Sequence, residues 1–395
     1  MAFRVLHFAT DSKFISSAVS LYEEAFPGQN QFRVIRNIEG RYVAPSESVR
    51  FVETSYFGSE SVRKDLKECE CLVVHAMTPE FVSGVQCAPR SVLVVWYGWG
   101  FEYCWLVERE IGPIILPKTQ QLKNMLRIRM WLKKLLSPLE LARSLVGQVR
   151  MHQGFPGRVA AEPAADLRAV AGRLDVFSVN PAEAPRIRRA LPELRAAHEM
   201  LSYFTTEDTL ETGPVIMSGP DILLGNSAAM ANNHLEILSQ LKGCDLQGRR
   251  LITPLSYGAP DYADYVSKVG EKYFGSSFIP LREFLTLEEY NQRIQSCGTV
   301  IMNHVRQQAV GNISSSLYKK AKVVLRPNSA LYQFFEDLGV TVFRVDDLRA
   351  VLNSEIALDP DAAERNREIM GRYWARARAL ESLRRLKTYH PRRTV

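Results

Sequence analysis

Apolar and polar residues along the first half of the chain follow two alternating periods. Short apolar runs, typical of buried strands, are separated by segments in which apolar residues recur at helical spacing. The runs at 3–8, 71–76 and 91–98 are predicted as strands, and "SAVSLYEEAF" at 17–26 is predicted as a helix. Because strands that alternate with helices form parallel sheets covered on both faces, this half is predicted to be an α/β domain.

The second half repeats the same rhythm more regularly. Strands are predicted at 219–224, 249–256, 277–281, 299–305, 321–326 and 341–345. Helices are predicted near 231–241, 260–270, 286–296, 312–320 and 329–338, and a long Arg-rich helix near 360–388 closes the chain. Ligands of such sheets bind at the carboxyl ends of the strands. The predicted fold class is therefore α/β, with two Rossmann-like domains and a C-terminal helix.

The predicted boundaries follow breaks in this rhythm. An N-terminal domain is expected over 1–205, a second domain over 213–358, and a basic helix and tail over 359–395. Residues 137–170 are interrupted by several glycines and prolines, and we predict a loop or an insertion there.

The net charge of +7 is unevenly distributed. Segments 118–150 and 365–395 carry +7 and +8, which leaves −8 for the rest of the chain. Two basic segments on an acidic body indicate an anionic partner, either a membrane surface or a nucleic acid. The sequence has no signal-peptide pattern and no apolar run of about 18 residues. The six cysteines form no CxxC pair, so we expect reduced thiols in a cytoplasmic protein.

The segment "LKNMLRIRMWLKKLL" at 122–136 is predicted as a basic amphipathic helix. At helical spacing, one face carries Met125, Ile128, Leu132, Leu135 and Leu136. Lys123, Arg127 and Lys134 lie opposite this face. The helix could pack its apolar face on the N-terminal domain with its cations in water, or it could bind an anionic membrane surface. We favour a combination in which it packs and its basic rim meets lipid.

A first candidate anion site is the stretch "LLGNSAAMANNH" at 223–234. A predicted strand ends at Gly225, the polar residues Asn226 and Ser227 follow, and a predicted helix comes next. Backbone N–H groups at the start of a helix lack partners and carry partial positive charge, so anions bind there. The alternative is an ordinary capped helix start.

A second candidate site, "NHVRQQAVGNISSSLYKK" at 303–320, has the same arrangement with an arginine added. The polar residues after the predicted strand are Arg306, Gln307, Gln308, Gly311 and Asn312. The guanidinium group is suited to phosphate. Two such strand ends in one domain predict a pyrophosphate site, and the alternative is a surface arginine beside a Ser-rich cap.

The stretch "VWYGWGFEYCW" at 95–105 combines aromatic residues with one acid. Tyr103 stands where the last glycine of a GxGxxG motif would be, so a nicotinamide site is not expected. Trp96 and Trp99 beside Glu102 could form the aromatic wall and carboxylate of a sugar site. Alternatively, both tryptophans belong to the core and Glu102 is solvated. His75, at the end of a neighbouring predicted strand, would face the same site.

A metal site is not expected. "DPD" at 359–361 is the only Asp-x-Asp pattern, and it precedes a helix instead of following a strand. Asp359 is predicted to cap that helix, with Pro360 at its first position.

Four segments together resemble the TDP-N-acetylfucosamine:lipid II N-acetylfucosaminyltransferase family. They are "LLGNSAAMANNHLEILSQLK", "ITPLSYGAPDYADYVSKVG", "LTLEEYNQRIQSCGTVIMNHVRQQAVGN" and "VWYGWGFE". The resemblance implies a glycosyltransferase B-type fold with two facing Rossmann-like domains, the donor in the second and the acceptor in the first. Where the family is expected to have an aspartate after Trp-Gly, this chain has Glu102.

The resemblance also implies the substrates. The donor would be a dTDP-linked N-acetylated 6-deoxyhexose, and the acceptor a saccharide on polyprenyl diphosphate at the inner face of the cytoplasmic membrane. The expected donor-binding residues are Asn226, Ser227, Asn232, His234, Tyr257, Arg306, Gln307, Gln308, Gly311 and Asn312. Neither a cofactor nor a metal is expected, because helix termini and basic side chains would neutralise the diphosphate.

These expectations assign Glu102 as general base, with His75 as second choice, in a peripheral membrane glycosyltransferase of bacterial surface polysaccharide synthesis. Two alternatives stay open. A nucleotide-sugar 2-epimerase of the same architecture would need neither acceptor nor membrane helix. A nucleic-acid binder could use the basic segments, but no recognised nucleic-acid module is present, so no nucleic-acid partner is expected.

Overall fold

Two parallel sheets organise the chain, each in its own compact unit. A computed structural model describes residues 3–37, 42–136, 165–211, 216–244, 246–354 and 357–391. Of the described residues, the first unit holds those within 3–110, 165–208 and 372–391. The second holds those within 111–136, 209–354 and 357–371.

The sheet of the first unit is built from β1 Val5–Thr10, β2 Asn30–Ile35, β3 Val49–Val52, β4 Cys71–His75, β5 Leu93–Tyr97, β6 Val176–Ser178 and β7 Ala197–His198. The strand order is β3-β2-β1-β4-β5-β6-β7 and every pair is parallel. Strands β2 and β3 are added on one side of β1, and the strands from β4 onwards are added on its other side. In doubly wound sheets, ligands bind at such a switch point.

The helices that begin in the first unit are α1 Lys13–Ala25, α2 Glu60–Lys67, α3 Pro79–Cys87, α4 Cys104–Ile111, α6 Ala165–Val170, α7 Ala184–Ala190 and α15 Arg376–Arg385. Strands β4 and β5 are buried along their whole length. Helices therefore cover both faces of the sheet, which is why these strands are continuous apolar runs without alternation.

The second sheet contains β8 Ile222–Leu224, β9 Leu251–Pro254, β10 Phe278–Leu281, β11 Thr299–Met302, β12 Lys322–Leu325 and β13 Phe343–Arg344. Its order is β10-β9-β8-β11-β12-β13, again entirely parallel, with the switch point between β8 and β11. The helices that begin in this unit are α5 Pro117–Leu136, α8 His234–Leu241, α9 Pro260–Phe274, α10 Leu287–Ile294, α11 Val310–Tyr318, α12 Ala330–Asp337, α13 Leu348–Asn353 and α14 Pro360–Tyr373.

The basic amphipathic helix α5 belongs to the second unit, whereas the sequence analysis assigned it to the first. Leu122 is buried in the core of the second unit, and Leu126 packs against that core. The Thr119 hydroxyl donates to Glu236 Oε2 at 2.7 Å. The packed side of the helix is therefore the one that carries these three residues.

The predicted apolar face of α5 is exposed. Met125, Ile128 and Leu132 are 38%, 58% and 45% exposed, and Trp131 beside them is 62% exposed. These side chains therefore lie outside the core of the unit that holds α5, which the helix joins through Leu122 and Leu126 instead. The side chains of Lys134, Leu135 and Leu136 and the predicted loop within 137–164 lie outside the described residues. No helix in the described part of the chain is long and apolar enough to cross a membrane.

The predicted single C-terminal helix is two helices, α14 and α15. Asp359 Oδ1 accepts a hydrogen bond from the Ala362 N–H at 3.0 Å, so this residue caps α14 as predicted. Helix α15 returns to the first unit, where Arg376 forms ion pairs with Glu24 and Asp208. The predicted segment 359–395 is therefore divided between the two units, and at least this arginine forms internal ion pairs.

Candidate functional site

Polar residues converge at the switch point of the second sheet. Gly225 follows β8 with φ +70°, and a Cβ there would lie 2.5 Å from His234 Nε2, so only glycine fits. The Asn226 side chain donates to the Tyr257 hydroxyl at 3.2 Å and accepts from Gln308 Nε2 at 3.1 Å. Chain segments that follow three adjacent strands, β9, β8 and β11, therefore meet at Asn226.

Asn232, predicted as a ligand-binding residue, instead supports the Gly225–Asn226 turn. It is fully buried, and its Oδ1 accepts from the Asn226 N–H at 3.1 Å. Its Nδ2 donates to the Ser227 hydroxyl at 3.2 Å, and Ser227 is buried as well. These bonds position the turn from beneath, so Asn226 is the member of the group that faces outward.

Two histidines lie under the same turn. His304 Nε2 is 2.8 Å from Asn232 Oδ1, so this nitrogen carries the hydrogen. Burial lowers the pKa of His304 well below its usual value, with Arg306 contributing, and lowers the pKa of His234 to about 3. Both rings are therefore neutral. His304 Nδ1 and His234 Nε2 are buried without a hydrogen-bond partner in the described structure.

The start of α8 is not an open anion site. The helix begins at His234, whose backbone N–H donates to the Tyr262 hydroxyl at 3.1 Å. Asn233 and His234 are completely buried. The sequence predicts a phosphate at this terminus, but the first donor of the helix is already used inside the unit.

The start of α11 fits that expectation better. Helix α11 follows Ala309, which has φ +59°, and Gly311 and Asn312 lie in its first turn. The first N–H groups of a helix have no partner within it. Arg306 precedes this turn, and its Nη1 donates to the Gln307 carbonyl at 2.9 Å. The helix terminus and the guanidinium group together can neutralise a bound anion.

A second arginine near this edge was missed in the sequence analysis. Arg326 follows β12, the strand next to β11, and its Nε donates to Asn303 Oδ1 at 3.1 Å. Arg326 directly follows the apolar run of "KVVLRPN", and this position at the end of the predicted strand 321–326 was the available signal. His304 was missed as well, because a buried histidine under a turn has no sequence signature of its own.

A chain of hydrogen bonds runs through the first unit, from the loop after β5 to β2. Trp99 Nε1 lies 2.9 Å from the Tyr203 hydroxyl, which lies 2.7 Å from His75 Nδ1. His75 Nε2 lies 3.1 Å from His7 Nδ1, and His7 Nε2 lies 3.4 Å from Asn30 Oδ1. This chain places Trp99, a predicted sugar-binding residue, at its outer end.

The direction of every hydrogen bond in this chain is determined. Asn30 uses its Nδ2 for the Tyr22 and Phe26 carbonyls, so its oxygen accepts from His7. Burial lowers the pKa of His7 well below its usual value and that of His75 to about 3, so each ring has one donor and one acceptor. His75 therefore donates to His7 and accepts from Tyr203. Because both of its ring nitrogens are engaged, His75 has no free nitrogen for acid–base chemistry.

Glu102 lies in the segment after β5, with its carboxyl group buried. Oε1 accepts from the Trp99 N–H at 2.9 Å and from Trp96 Nε1 at 3.3 Å. Oε2 is buried without a hydrogen-bond partner among the described residues. Burial raises the pKa of Glu102 to about 7, although the hydrogen bond from the Trp99 N–H lowers it. A carboxyl group with this pKa can exchange a proton near neutral pH.

Trp96 is a core residue and does not line a site. It is completely buried between Tyr103 and Phe177, with ring centroids 5.7 and 6.2 Å away. Successive side chains of a strand point to opposite faces of the sheet. Because helices cover both faces, Trp96 packs under helices. Trp99, beyond the end of the strand, is half-buried, and its ring centroid lies 5.4 Å from that of Phe14.

No group of three or more histidine, cysteine, aspartate or glutamate residues that could hold a metal ion occurs in the described part of the chain. The predicted donor-binding residues lie in the second unit and Glu102, His75 and Trp99 in the first.

Several solved structures share this fold. Anabaena HepE in complex with UDP aligns with a TM-score of 0.61 at 10% identity, covering 98% of this chain and 100% of that one. WaaG, a glycosyltransferase involved in lipopolysaccharide biosynthesis, has a TM-score of 0.57 at 12% identity, covering 96% and 99%. The N-terminal domain of Candida albicans trehalose-6-phosphate phosphatase has a TM-score of 0.62 at 8% identity, covering 98% and 96%. These likenesses establish the glycosyltransferase B-type fold.

Sequence comparison identifies the family. No curated protein matches the sequence. The profile of the 4-alpha-L-fucosyltransferase family, glycosyl transferase group 56, matches residues 158–357, half of the chain. This match contains the whole switch point of the second sheet. The chain therefore belongs to the 4-alpha-L-fucosyltransferase family of glycosyl transferase group 56 and is a glycosyltransferase.

Proposed function

We propose that this enzyme transfers an N-acetylated 6-deoxyhexose from a dTDP-sugar to a saccharide carried on polyprenyl diphosphate, in bacterial surface polysaccharide synthesis. The observation that carries the proposal is the bond between Gln308 and Asn226, which joins the segments after β11 and β8 at the switch point. The family match supports a 6-deoxyhexose, since fucose is one. HepE, which shares only the fold, is a UDP complex.

The donor diphosphate would bind between these segments. Arg306 and the first N–H groups of α11 supply positive charge, and Asn226 supplies an uncharged donor. As the bond between the anomeric carbon and the diphosphate oxygen breaks, negative charge builds up on the leaving group. Donors that are already in place stabilise this charge without reorganisation. Tyr257, 49% exposed beside Asn226, would contact the base or the sugar.

The acceptor would be activated by Glu102. In an inverting transfer the acceptor hydroxyl oxygen attacks the anomeric carbon, its proton passes to Glu102, and the nucleotide diphosphate leaves. The buried Oε2 without a partner is the available proton acceptor. His75 is not assigned this role, because both of its nitrogens are hydrogen-bonded within the unit.

Helix α5 would bring the enzyme to the membrane. The exposed side chains of Ile128, Trp131 and Leu132 are apolar, and Arg127 on the same helix is exposed as well. Apolar residues that enter the headgroup region, together with cations that meet anionic lipid, are the usual elements of peripheral binding. This location would supply the lipid-linked acceptor to a chain whose described helices do not span a bilayer.

A donor and acceptor screen tests the proposal. Purified enzyme is incubated with dTDP-, UDP- and GDP-sugars, with and without a polyprenyl-linked saccharide, and products are identified by mass spectrometry. We expect glycoside formation with the dTDP-linked 6-deoxyhexose only when the acceptor is present. Release of a free, epimerised sugar without acceptor would instead identify a 2-epimerase. Preference for UDP or GDP would contradict the assigned nucleotide.

A further inference from the structure

A cavity of about 250 Å³ opens in the second unit, away from the switch point of its sheet. It lies between helix α10 and the two outermost strands on that side of the sheet, β9 and β10. Arg250 directly precedes β9, and Ser296 lies shortly before β11. Because all strands are parallel, these two residues mark the amino end of the sheet, whereas Asn226 and Arg306 follow strands at its carboxyl end. None of the assignments above uses this cavity.

The floor of the cavity is the face of the sheet that α10 covers. Ile279 of β10 pairs in register with Ile252 of β9, and both side chains line the cavity. Leu251 and Phe278, one residue earlier in each strand, point to the opposite face and belong to the core that contains Leu122 of α5. The cavity and α5 therefore lie on opposite faces of the sheet. A ligand of the cavity would come from solution and not from a membrane surface bound by α5.

The open edge of β10 is unsuited to pairing with a further strand. The Leu281 carbonyl accepts from the Leu255 N–H at 2.8 Å, so the backbone of Leu281 faces β9. Alternate residues of a parallel strand face opposite neighbours, so the backbone of Pro280 faces outward. Proline has no N–H group, and its presence on an edge strand prevents pairing there. The ligand of the cavity is therefore not a peptide that extends the sheet.

Two arginines line the cavity, and no acidic residue lines it among the described residues. Arg250 donates from Nε and Nη2 to Asp221 Oδ2 at 3.0 and 2.5 Å, and this carboxylate is only 4% exposed. The buried carboxylate fixes the guanidinium group and leaves Nη1 for a ligand. Arg293 of α10 is exposed and forms no ion pair in the described part of the chain. Glu289, one turn earlier, instead accepts from the Thr286 N–H at 2.8 Å.

The end of α10 adds uncharged polar groups to the same wall. Gln292, Gln295 and Ser296 line the cavity and are spaced three and four residues apart, so they lie on one side of the helix end. Amide and hydroxyl groups both donate and accept hydrogen bonds, as sugar hydroxyl groups do. No aromatic side chain lines the cavity among the described residues, so it offers no stacking surface to a nucleobase.

We propose that this cavity binds a small sugar phosphate from solution, with the phosphate between Arg250 and Arg293 and the sugar hydroxyl groups against Gln292, Gln295 and Ser296. A phosphate monoester carries about −1.5 to −2 charge at pH 7 and three acceptor oxygens, so it can bridge two guanidinium groups. The volume of about 250 Å³ lies just below the range of about 300–1,000 Å³ typical of ligand sites. It suits a single monosaccharide and is too small for a nucleotide sugar.

Calorimetric titration of the whole enzyme tests this inference. The probes are glucose 6-phosphate, glucose 1-phosphate and mannose 6-phosphate, compared with glucose, glucuronate and inorganic phosphate. The key variant is Arg293→Gln, because this exposed side chain has no ion pair to lose. Arg250→Lys keeps a cation beside Asp221 while it removes the free Nη1. Arg349→Gln, which changes an exposed arginine of α13 in the same unit, is the matched control.

We expect at least one sugar phosphate to bind saturably, with Arg293→Gln weakening its affinity by about ten-fold or more and Arg250→Lys by several-fold. Arg349→Gln should bind it like the parent enzyme. Glucose should show no measurable binding, and glucuronate and inorganic phosphate should bind more weakly than the ester. No saturable binding of any sugar phosphate, equal affinity in Arg293→Gln and Arg349→Gln, or a preference for inorganic phosphate would overturn the inference.

Competition distinguishes this cavity from the proposed donor site. Saturating dTDP should leave the affinity for the sugar phosphate unchanged, and so should Arg306→Ala, because Arg306 lies at the other end of the sheet. Conversely, Arg293→Gln should leave dTDP binding unchanged. Displacement of the sugar phosphate by dTDP, together with weaker binding in Arg306→Ala, would locate the phosphate at the donor site and refute the assignment to the cavity.

Discussion

The Tyr203 hydroxyl donates to His75 Nδ1 at 2.7 Å, although 128 residues separate the two. This bond has one possible direction, because the pKa of His75 is lowered to about 3 by burial and its other nitrogen donates to His7. The same hydroxyl oxygen accepts from the Trp99 indole. Tyr203 thus connects a buried pair of histidines to Trp99, which the sequence predicts to contact the sugar.

Replacing Tyr203 with phenylalanine should affect both stability and acceptor use. The variant leaves His75 Nδ1 and the Trp99 N–H without partners, which should cost about 1–3 kcal/mol in the free energy of unfolding. The acceptor KM should rise while the donor KM stays constant. Urea denaturation and steady-state kinetics measure the two effects, with Tyr42→Phe, an exposed tyrosine of the same unit, as control. An unchanged acceptor KM would reduce the hydrogen-bond chain to a purely structural role.

Arg306 should carry much of the nucleotide affinity. Arg306→Ala removes a charge-assisted contact worth about 1.5–3 kcal/mol, so dTDP should bind at least ten-fold more weakly. The control is Arg344→Ala, at the end of β13 in the same unit, where the arginine is exposed and pairs with Asp346. Calorimetric titration compares the two variants. Equal dTDP affinity in both would refute the diphosphate assignment.

The reaction should depend on the ionisation of Glu102. Only the deprotonated carboxylate can accept a proton, and burial raises the pKa of this group to about 7. The kcat/KM for the acceptor should therefore increase as pH rises through about 7 and level off above it. Glu102→Gln should lower kcat by about 10²- to 10⁴-fold. Glu102→Asp, which restores the residue expected in related sequences, should retain part of the activity. A flat pH profile in the parent enzyme would exclude Glu102 as the base.

Activity should survive chelation. We expect Arg306 and the α11 terminus to neutralise the diphosphate, so excess EDTA should leave the turnover rate unchanged. The assay compares enzyme before and after dialysis against the chelator, followed by addition of magnesium or manganese. Loss of activity that either metal restores would contradict this mechanism.

Liposome binding should depend on α5. The triple charge reversal of Lys123, Arg127 and Lys134 to glutamate should weaken co-sedimentation with anionic liposomes, since each cation near such a surface is worth about 1 kcal/mol. The effect should be larger at low salt, where screening is weakest. Binding of dTDP should not change.

The exposed apolar side chains of α5 make a separate contribution that can be tested with a matched control. Ile128→Ser combined with Trp131→Ser should weaken liposome binding even at high salt, because it removes apolar contact and not charge. Phe284→Ser, which alters an aromatic side chain that is 82% exposed elsewhere in the second unit, should have no effect. If all three variants sediment like the parent enzyme, α5 does not bind the membrane.

Local patterns predicted the elements of this fold well. The apolar runs form strands in two parallel sheets, and Thr286 with Glu289 forms a capping box, a local sequence pattern, at the start of α10. These features depend on neighbouring residues, so a single sequence contains the information. The polar residues after β11 were also recognisable as a candidate anion site, because arginine and glutamine directly after a strand are a local signal.

Features that depend on distant residues were not predictable. Periodicity identified the apolar face of α5. It did not indicate that the helix packs through the side that carries Leu122. The histidine at the end of β4 was noticed, but its partners Tyr203 and His7 come from other parts of the chain. Similarly, the helix predicted near 231–241 starts at His234, and its first N–H group is already bonded inside the unit. Pattern identifies an amphipathic or polar segment, whereas tertiary packing decides which atoms remain available.

The late position of helix α15 in the sequence affects the order in which the two units can fold during synthesis. Leu380, Leu383 and Leu386 belong to the same hydrophobic core as Ile15 and Tyr22, near the other end of the sequence. During synthesis, every described residue of the second unit leaves the ribosome before this core has all of its side chains. The second unit can therefore fold first. The apolar surface of the first unit that α15 covers stays exposed until this helix has been synthesised. A premature stop after Gly371 would thus damage the N-terminal sheet, while the sheet closest to the truncation keeps its full complement of residues.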